Sequence, residues 1–276
     1  MTARLRAIPG LARAGSLVGA GSWGLAAPAL LLWLGAMLAT PAIETVGGRA
    51  GFATWILVTV LLQAAVVMLL VGRAVGAARL VRLLVPVFAI SFVAEAVGAA
   101  TDLPFGPYEY TPFLQPQLLG VPVILPLAWL MLMPSAWAVG RALAGRWGGP
   151  AFVVLSATAL TAWDLFLDPQ MVHWGVWAWD EPGPYFGIPL VNFAGWIIVA
   201  SLITAAARPA DLPVRPLLVL YGLVWAIEIV GLVVFWGLAG PALAGGVVMG
   251  AFLVAAWLAE LRSGSLPPGA AEVGTR

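Results

Sequence analysis

Four carboxylic acids lie in otherwise apolar stretches of the sequence: Glu95, Asp164, Asp168 and Glu228. A charge at the centre of a bilayer costs roughly 2.5–3.5 kcal/mol on insertion scales, so such residues usually face a bundle interior and serve a function. Asp164 and Asp168 are four residues apart, which places them on one helix face, one turn from each other. Two adjacent carboxyl groups resist joint ionisation, so one of them is expected to keep a proton that it can donate.

Each acid also has a structural interpretation. Glu95 could form an interhelical hydrogen bond that holds a bundle together, and Asp168, which precedes Pro169, could be a solvated helix end. Glu228 lies within an aromatic stripe, which is more often packing than a site. Glu44 and Glu260 lie near the ends of apolar segments and are expected to be solvated.

Acids, aromatic rings and few basic groups suit the protonation of an apolar alkene. Aromatic faces stabilise the resulting carbocation through the ring quadrupole, and nearby carboxylates stabilise it by Coulomb attraction. Asn192 and Trp196, on one face of a predicted helix, could bond to a neighbouring helix or orient a water molecule. The sequence has no Lys, no Cys and one His, which excludes Schiff-base lysines, thiol nucleophiles and multi-histidine metal sites.

The Asp-x-x-x-Asp spacing also resembles that of intramembrane prenyltransferases, which hold Mg²⁺ and a diphosphate with such carboxylates. Those enzymes need Lys or Arg near the phosphates. Arg49 is the one cation predicted on the same side of the membrane as the acids, so the sequence disfavours diphosphate chemistry.

The elements that must position these residues are membrane-spanning helices. The chain has 276 residues, of which 62% are hydrophobic and 9% charged. A soluble domain has about 45–50% apolar and about 25% charged residues, so a soluble globule, a disordered chain and a nucleic-acid binder are excluded. Hydropathy predicts an all-α bundle of about eight spans, at 22–41, 52–72, 83–100, 121–143, 150–168, 188–207, 215–237 and 241–261.

Arginine positions predict the orientation. With a cytoplasmic N-terminus, twelve of the thirteen arginines fall inside and Arg49 alone falls outside, as the positive-inside rule requires. The C-terminus is then cytoplasmic too, and the protein is an integral protein of the cytoplasmic membrane. We predict one transmembrane domain over residues 1–262 and a disordered tail over 263–276.

Two predicted outside loops, residues 101–120 and 169–187, contain no arginine and are rich in Pro, Gly and aromatic residues. Pro and Gly disfavour long helices, so we expect short interfacial or re-entrant segments that cap the bundle and form a functional lid. The alternative is an aromatic belt at the lipid headgroups.

Two blocks of the sequence resemble a known family. The first runs from Glu95 through the T-D-L-P-F-G-P-Y-E-Y segment to the G-V-P-x-x-x-P-x-x-W stretch that ends at residue 129. The second contains D-x-x-x-D-P and Y-F-G-I-P-x-x-N-F-x-G-W, ending at Trp196. Together, over residues of roughly 90–200, they are similar to membrane carotenoid biosynthesis proteins of the carotenoid 1',2'-hydratase and bisanhydrobacterioruberin hydratase type.

The resemblance implies a cofactor-free hydratase that adds water to the terminal double bond of an acyclic carotenoid end, giving a tertiary alcohol. Its implied partners are a carotenoid such as γ-carotene or lycopene, water and membrane lipid. The acids that match the family are Glu95, Asp164 and Asp168. Asp102 stands where the family pattern has Gly.

We hypothesise roles for these residues. Asp164, next to Asp168, protonates the alkene, and Glu95 or Asn192 positions the water and takes its proton. The residues expected to bind the substrate are Phe105, Tyr108, Tyr110, Trp163, Trp196 and Glu228.

Three other functions stay open. A carotenoid cyclase or isomerase begins with the same protonation but loses a proton instead of capturing water. A proton-coupled transporter also uses intramembrane carboxylates. A scaffold for other pathway enzymes would need no activity of its own.

Overall fold

The computed structural model describes residues 23–263, and within them the chain forms eight long helices. They are α1 (Ala26–Val46), α2 (Gly48–Val75), α3 (Ala77–Thr101), α4 (Leu125–Ala144), α5 (Pro150–His173), α6 (Leu190–Ala207), α7 (Val214–Val230) and α8 (Ala239–Ser263). A π-helical turn, Gly231–Phe235, continues α7. All eight, with α7 counted through this turn, are long and apolar enough to cross a membrane, so the predicted polytopic helical bundle is confirmed.

Several helices extend past the predicted apolar runs. α1 passes through Pro41 and continues to Val46, and only Gly47 separates it from α2. α3 begins at Ala77, before the predicted position 83. Helix geometry extends into the polar ends of a span, whereas hydropathy reports only its apolar centre. The predicted tail lies almost wholly outside the described residues, as do Arg4, Arg6, Arg13 and Arg276.

Helices α4 and α5 form the centre of the bundle and are its most buried spans. They pack against each other; α6 and α8 pack against α5, and α7 packs against α4. α3 packs between α4 and α6, while α1 lies at the edge, mainly against α2. The acids of α3, α5 and α7 are therefore on helices that surround α4.

The connections after α1, α3, α5 and α7 lie at one end of the bundle, which we call the loop end. Arg49 lies at this end, with its guanidinium over the Phe113 ring. The opposite end carries the ion pairs Arg79–Asp211 and Arg215–Glu260. This segregation of arginines agrees with the predicted alternation, and the compartment that each end faces stays a prediction.

The two long loops are joined by a small antiparallel sheet. Strand β1 (Tyr108–Tyr110), in the loop after α3, pairs with β4 (Trp177–Trp179), in the loop after α5. Between them in sequence, β2 (Gln117–Leu118) pairs with β3 (Val121–Pro122). The sequence did not predict these strands, because each is only two or three residues long and its partner lies in another loop or across a turn.

Asp102 ends α3 in a left-handed conformation, with φ of 65°. Helices commonly end this way at Gly, which has no Cβ to clash. The Gly of the family pattern at this position is therefore explained by the backbone. The backbone N–H of Asp102 donates to the Gly98 carbonyl at the end of the helix, and its side chain is exposed, unlike the buried acids.

Candidate functional site

Glu95 is held by three donors from two different parts of the chain. The hydroxyls of Tyr108 and Tyr110 donate to its Oε2 at 2.8 and 2.7 Å, and the Trp129 indole donates to its Oε1 at 3.0 Å. The side chain is only 4% exposed. Three donors and no acceptor fit an ionised carboxylate, because hydrogen bonds to the charged form favour that form.

Burial, followed by the charge of Glu95, raises the pKa of both Tyr108 and Tyr110 above the usual range for a phenol. Both hydroxyls therefore stay protonated at neutral pH and remain donors to Glu95. The sheet explains why both reach the same carboxylate. β1 turns Tyr108 and Tyr110 inward and leaves Glu109, between them, exposed.

Asp164 and Asp168 form a second acidic group on α5, one turn apart. The amide Nδ2 of Asn192 donates to Oδ2 of Asp164 at 3.0 Å and also contacts Oδ2 of Asp168. Because the same Nδ2 atom contacts an Oδ2 of each acid, the two carboxyl groups lie close together. A hydrogen bond between two carboxyl groups needs a proton on one of them, so the pair holds at least one proton when it forms.

Asp164 Oδ1 is buried without a hydrogen-bond donor among the described residues. A buried carboxylate oxygen without a donor carries a large desolvation cost, which is smaller when the carboxyl group keeps its proton. The geometry therefore fits a proton shared between Asp164 and Asp168, with Asn192 fixing the orientation of both groups.

Glu228 on α7 is the fourth buried acid, and Trp163 on α5 donates to its Oε1 at 3.0 Å. A row of indoles connects it to Glu95. Trp129 stacks on Trp196 with ring centroids 4.3 Å apart and planes 14° apart, and Trp196 meets Trp163 edge-on at 6.3 Å. We call Trp129, Trp196 and Trp163 the tryptophan row. Its two outer indoles each donate to a carboxylate.

These groups surround one cavity of about 120 Å³ with a mostly apolar wall. A water molecule needs roughly 10–15 Å³ of such space, so the cavity can hold water together with the end of a chain-like molecule. Nine of the ten residues predicted for the site line it: Glu95, Asp168, Asn192, Phe105, Tyr108, Tyr110, Trp163, Trp196 and Glu228.

Asp164 is the predicted site residue that does not line the cavity. It is fully buried, behind Asp168, and contacts Asn192. Since α5 runs toward the loop end, Asp168 lies nearer that end than Asp164. Asp164, the deeper of the two acids in the helix, is therefore the one that does not reach the cavity.

Sequence reasoning gave no role to several residues that complete the site. Trp129 donates to Glu95. It is the Trp of the G-V-P-x-x-x-P-x-x-W stretch, but the motif did not indicate which residue it contacts. Trp177 and Trp179 of β4 line the cavity beside the tyrosines, with Tyr110–Trp177 ring centroids 5.8 Å apart. Gln170 lines it near Glu228.

Glu44 and Glu260, which were expected to be solvated, are half-exposed, and each also has a partner within the protein. Glu44, at the end of α1, accepts a hydrogen bond from the Trp236 indole. Glu260, near the end of α8, accepts one from Arg215 at 3.0 Å. Both partners come from distant positions in the chain, which hydropathy does not reveal.

Gly195 allows the first loop to approach α6. A Cβ at this position would lie 2.7 Å from the Pro104 carbonyl oxygen and 2.9 Å from Cδ1 of Phe105. The loop that carries Tyr108 and Tyr110 can therefore take this position against α6 only because residue 195 has no side chain.

We expect Gly195→Ala to destabilise the protein by about 1–3 kcal/mol, the usual cost of overpacking, and to loosen the tyrosines around Glu95. Thermal unfolding in detergent measures this. Gly222→Ala is a matched control, because its Cβ would meet only the Leu253 side chain at 3.4 Å or more. Equal melting temperatures for the two variants would contradict the prediction.

The fold and the site define a polytopic membrane protein with a buried, acid-lined apolar cavity. Residues 55–253 match the family described as "Carotenoid biosynthesis protein", and the chain belongs to this family. Over 136 residues it is 35% identical to the bisanhydrobacterioruberin hydratase of Haloarcula japonica. That match covers 48% of this chain and 44% of the relative, so it spans less than half the length of either protein. No solved structure matches the chain.

Proposed function

We propose that this protein is a carotenoid hydratase that adds water across the terminal 1,2 double bond of an acyclic ψ end, as in lycopene or γ-carotene. One observation carries the proposal: Asp168 of the carboxyl pair, the hydrogen-bonded Glu95 and the tryptophan row all line one apolar cavity. Family membership and the hydratase relative support it.

The first step is proton transfer from the Asp164–Asp168 pair. Asp168 faces the cavity, so it delivers the shared proton to C2 of the terminal alkene, and the π electrons form the new C–H bond. C1 becomes a tertiary cation. This assignment changes the hypothesis drawn from the sequence, in which Asp164 was the donor, because only Asp168 of the two lines the cavity.

The cavity wall then stabilises the cation. All three indoles of the tryptophan row line the cavity, and a cation over an indole face is stabilised by about 2 kcal/mol or more where water is excluded. Trp129 and Trp163 also donate to carboxylates, which increases the electron density of their rings. The deprotonated pair and Glu95 add Coulomb attraction from two sides.

Water capture completes the reaction. A water molecule attacks C1, and the Glu95 carboxylate takes the proton that the new oxonium releases. The product is a tertiary alcohol, and one proton must return from Glu95 to the carboxyl pair. Two neighbouring carboxylates repel each other, so the pair readily takes this proton back through water in the cavity. Over the whole cycle one water is consumed and no cofactor is required.

The test is expression in a lycopene-producing host, followed by pigment mass analysis. We expect a product heavier than lycopene by one water for each hydrated end, and in D₂O a deuterium on the carbon next to the carbinol. Cells that produce the Asp168→Asn variant are the control for host reactions. A product of unchanged mass would indicate a cyclase or isomerase, and an alcohol without the deuterium would exclude proton-first addition.

A further inference from the structure

Loop and helix contacts cover much of the cavity at both ends of the bundle. At the loop end the β1–β4 sheet covers it, with Tyr108 and Trp177 buried. Toward the opposite end, Tyr221 donates to the Ala159 carbonyl at 2.7 Å and Trp137 to Thr204 at 2.9 Å, and these buried bonds join α7 to α5 and α4 to α6. These contacts obstruct both ends, so an approach from the side is the less hindered one for a long hydrocarbon.

One side of the bundle is thinly packed. α1 packs mainly against α2, and α2 touches α7 only sparsely. Three apolar side chains at this place both line the cavity and stay half-exposed: Met37 on α1, Val60 on α2 and Ile227 on α7. The cavity wall and the outer surface of the bundle meet at these residues, which we call the side opening.

The depth of the side opening places it among lipid tails. At 1.5 Å per residue, Met37 lies about 14 Å from the loop end of α1, and Val60 about 18 Å from that of α2. The hydrocarbon core of a bilayer is about 30 Å thick, so both residues lie near its middle. The three side chains at the side opening are apolar and offer neither a charge nor a hydrogen bond. A hydrocarbon that passes between them therefore meets surroundings similar to the lipid tails it leaves.

A side-chain hydrogen bond spans this side at the loop end. Glu44, in the last turn of α1, accepts from the indole of Trp236, which directly follows the π-helical turn of α7. The Trp236 ring also meets Trp174 edge-on, with centroids 5.0 Å apart. The bond therefore ties the edge helix to the far side of the opening.

We infer that the side opening is a lateral entrance through which a linear, methyl-branched polyene passes from the lipid tails to the buried acids, and that the Glu44–Trp236 bond holds its two sides together. This inference rests on the proposed function for the identity of the polyene. It adds the source of the substrate and the helices that must separate to admit it.

Narrowing the entrance is the first test. Met37→Trp is expected to lower the rate of lycopene hydration at least tenfold. Leu38→Trp, the neighbouring residue whose side chain is 83% exposed, is expected to keep the wild-type rate. Ile227→Trp and its exposed neighbour Ala226→Trp repeat the comparison on α7, in case Met37→Trp fails to fold. Equal rates within both pairs overturn the lateral entrance.

Fixing the two sides together is the second test, and the absence of cysteine makes the labelling specific. The Glu44→Cys/Trp236→Cys variant, joined by a short reversible bifunctional thiosulfonate, is expected to lose at least nine-tenths of its turnover and to regain it on reduction. The same reagent on Arg79→Cys/Asp211→Cys, an exposed ion pair at the opposite end, is expected to leave turnover unchanged. Unchanged turnover of the linked Glu44→Cys/Trp236→Cys variant overturns the role of that bond.

A readout of binding separates this inference from the proposed reaction. Lycopene is achiral, so a visible circular dichroism signal appears only when it is held in the protein. We expect this signal to develop in wild type and to be slowed by Met37→Trp. A signal without any hydration would contradict the proposed function but not the lateral entrance. Hydration that Met37→Trp and Ile227→Trp leave unaffected would contradict the lateral entrance but not the proposed function.

Discussion

Replacing Asp168 by asparagine is expected to lower the rate of carotenoid hydration by about 10²–10⁴-fold, the usual contribution of a positioned general acid. Asparagine keeps the size of the side chain and can still accept the hydrogen bond from Asn192, but it has no proton of comparable acidity to give. Pigment mass analysis over a time course measures the rate. Thermal unfolding of the same preparation checks that the fold is retained.

Asp164→Asn is the matched control, because it removes the other carboxyl group of the same pair. We expect a loss of only about tenfold, since Asp168 still faces the cavity and can take its proton from water there. The opposite order, with Asp164→Asn inactive and Asp168→Asn active, would return the donor role to Asp164. Full activity of both variants would remove the pair from the reaction.

Glu95→Gln is expected to have an effect of the same size, about 10²–10⁴-fold on alcohol formation, for a different reason. The amide can still accept from Tyr108 and Tyr110, but it cannot take a proton from the attacking water. The cation then either returns to the alkene or loses a proton elsewhere. We therefore expect isomerised carotenoid of unchanged mass to make up a larger share of the products.

Glu109→Gln provides the control for Glu95→Gln. Glu109 lies between the two tyrosines on β1, and its side chain is exposed. The same loss of charge within a few residues of the site should leave hydration at the wild-type rate. If the two variants lose activity equally, a general effect of charge explains the loss and Glu95 is not the base.

The helices were predictable because a bilayer imposes one strong rule, that a span must be long and apolar. Glu95, Asp164, Asp168 and Glu228 were found by the same rule, as costly exceptions to it. The structure brings their helices around α4, which fits that reasoning. Their roles in the reaction stay predictions.

What sequence reasoning did not reach depends on contacts between distant segments. Trp129 looked like one tryptophan among fourteen, and only the packing of α3 against α4 brings its indole to Glu95. The placement of Asp164 behind Asp168 depends on the rotation of α5 in the bundle, which a spacing of four residues does not specify. The Glu44–Trp236 contact joins residues 192 positions apart.

The pairing of β1 with β4 makes the length of both loops a constraint. Tyr108, Tyr110, Trp177 and Trp179 point toward the cavity because they alternate with Glu109 and Ala178 along two strands. Deleting one residue within either strand would shift the alternation by one and exchange the two faces of that strand. An aromatic group would then turn to water and Glu109 or Ala178 to the interior. Related sequences that keep this chemistry should accordingly tolerate substitutions at Glu109 and Ala178 far more readily than insertions or deletions beside them.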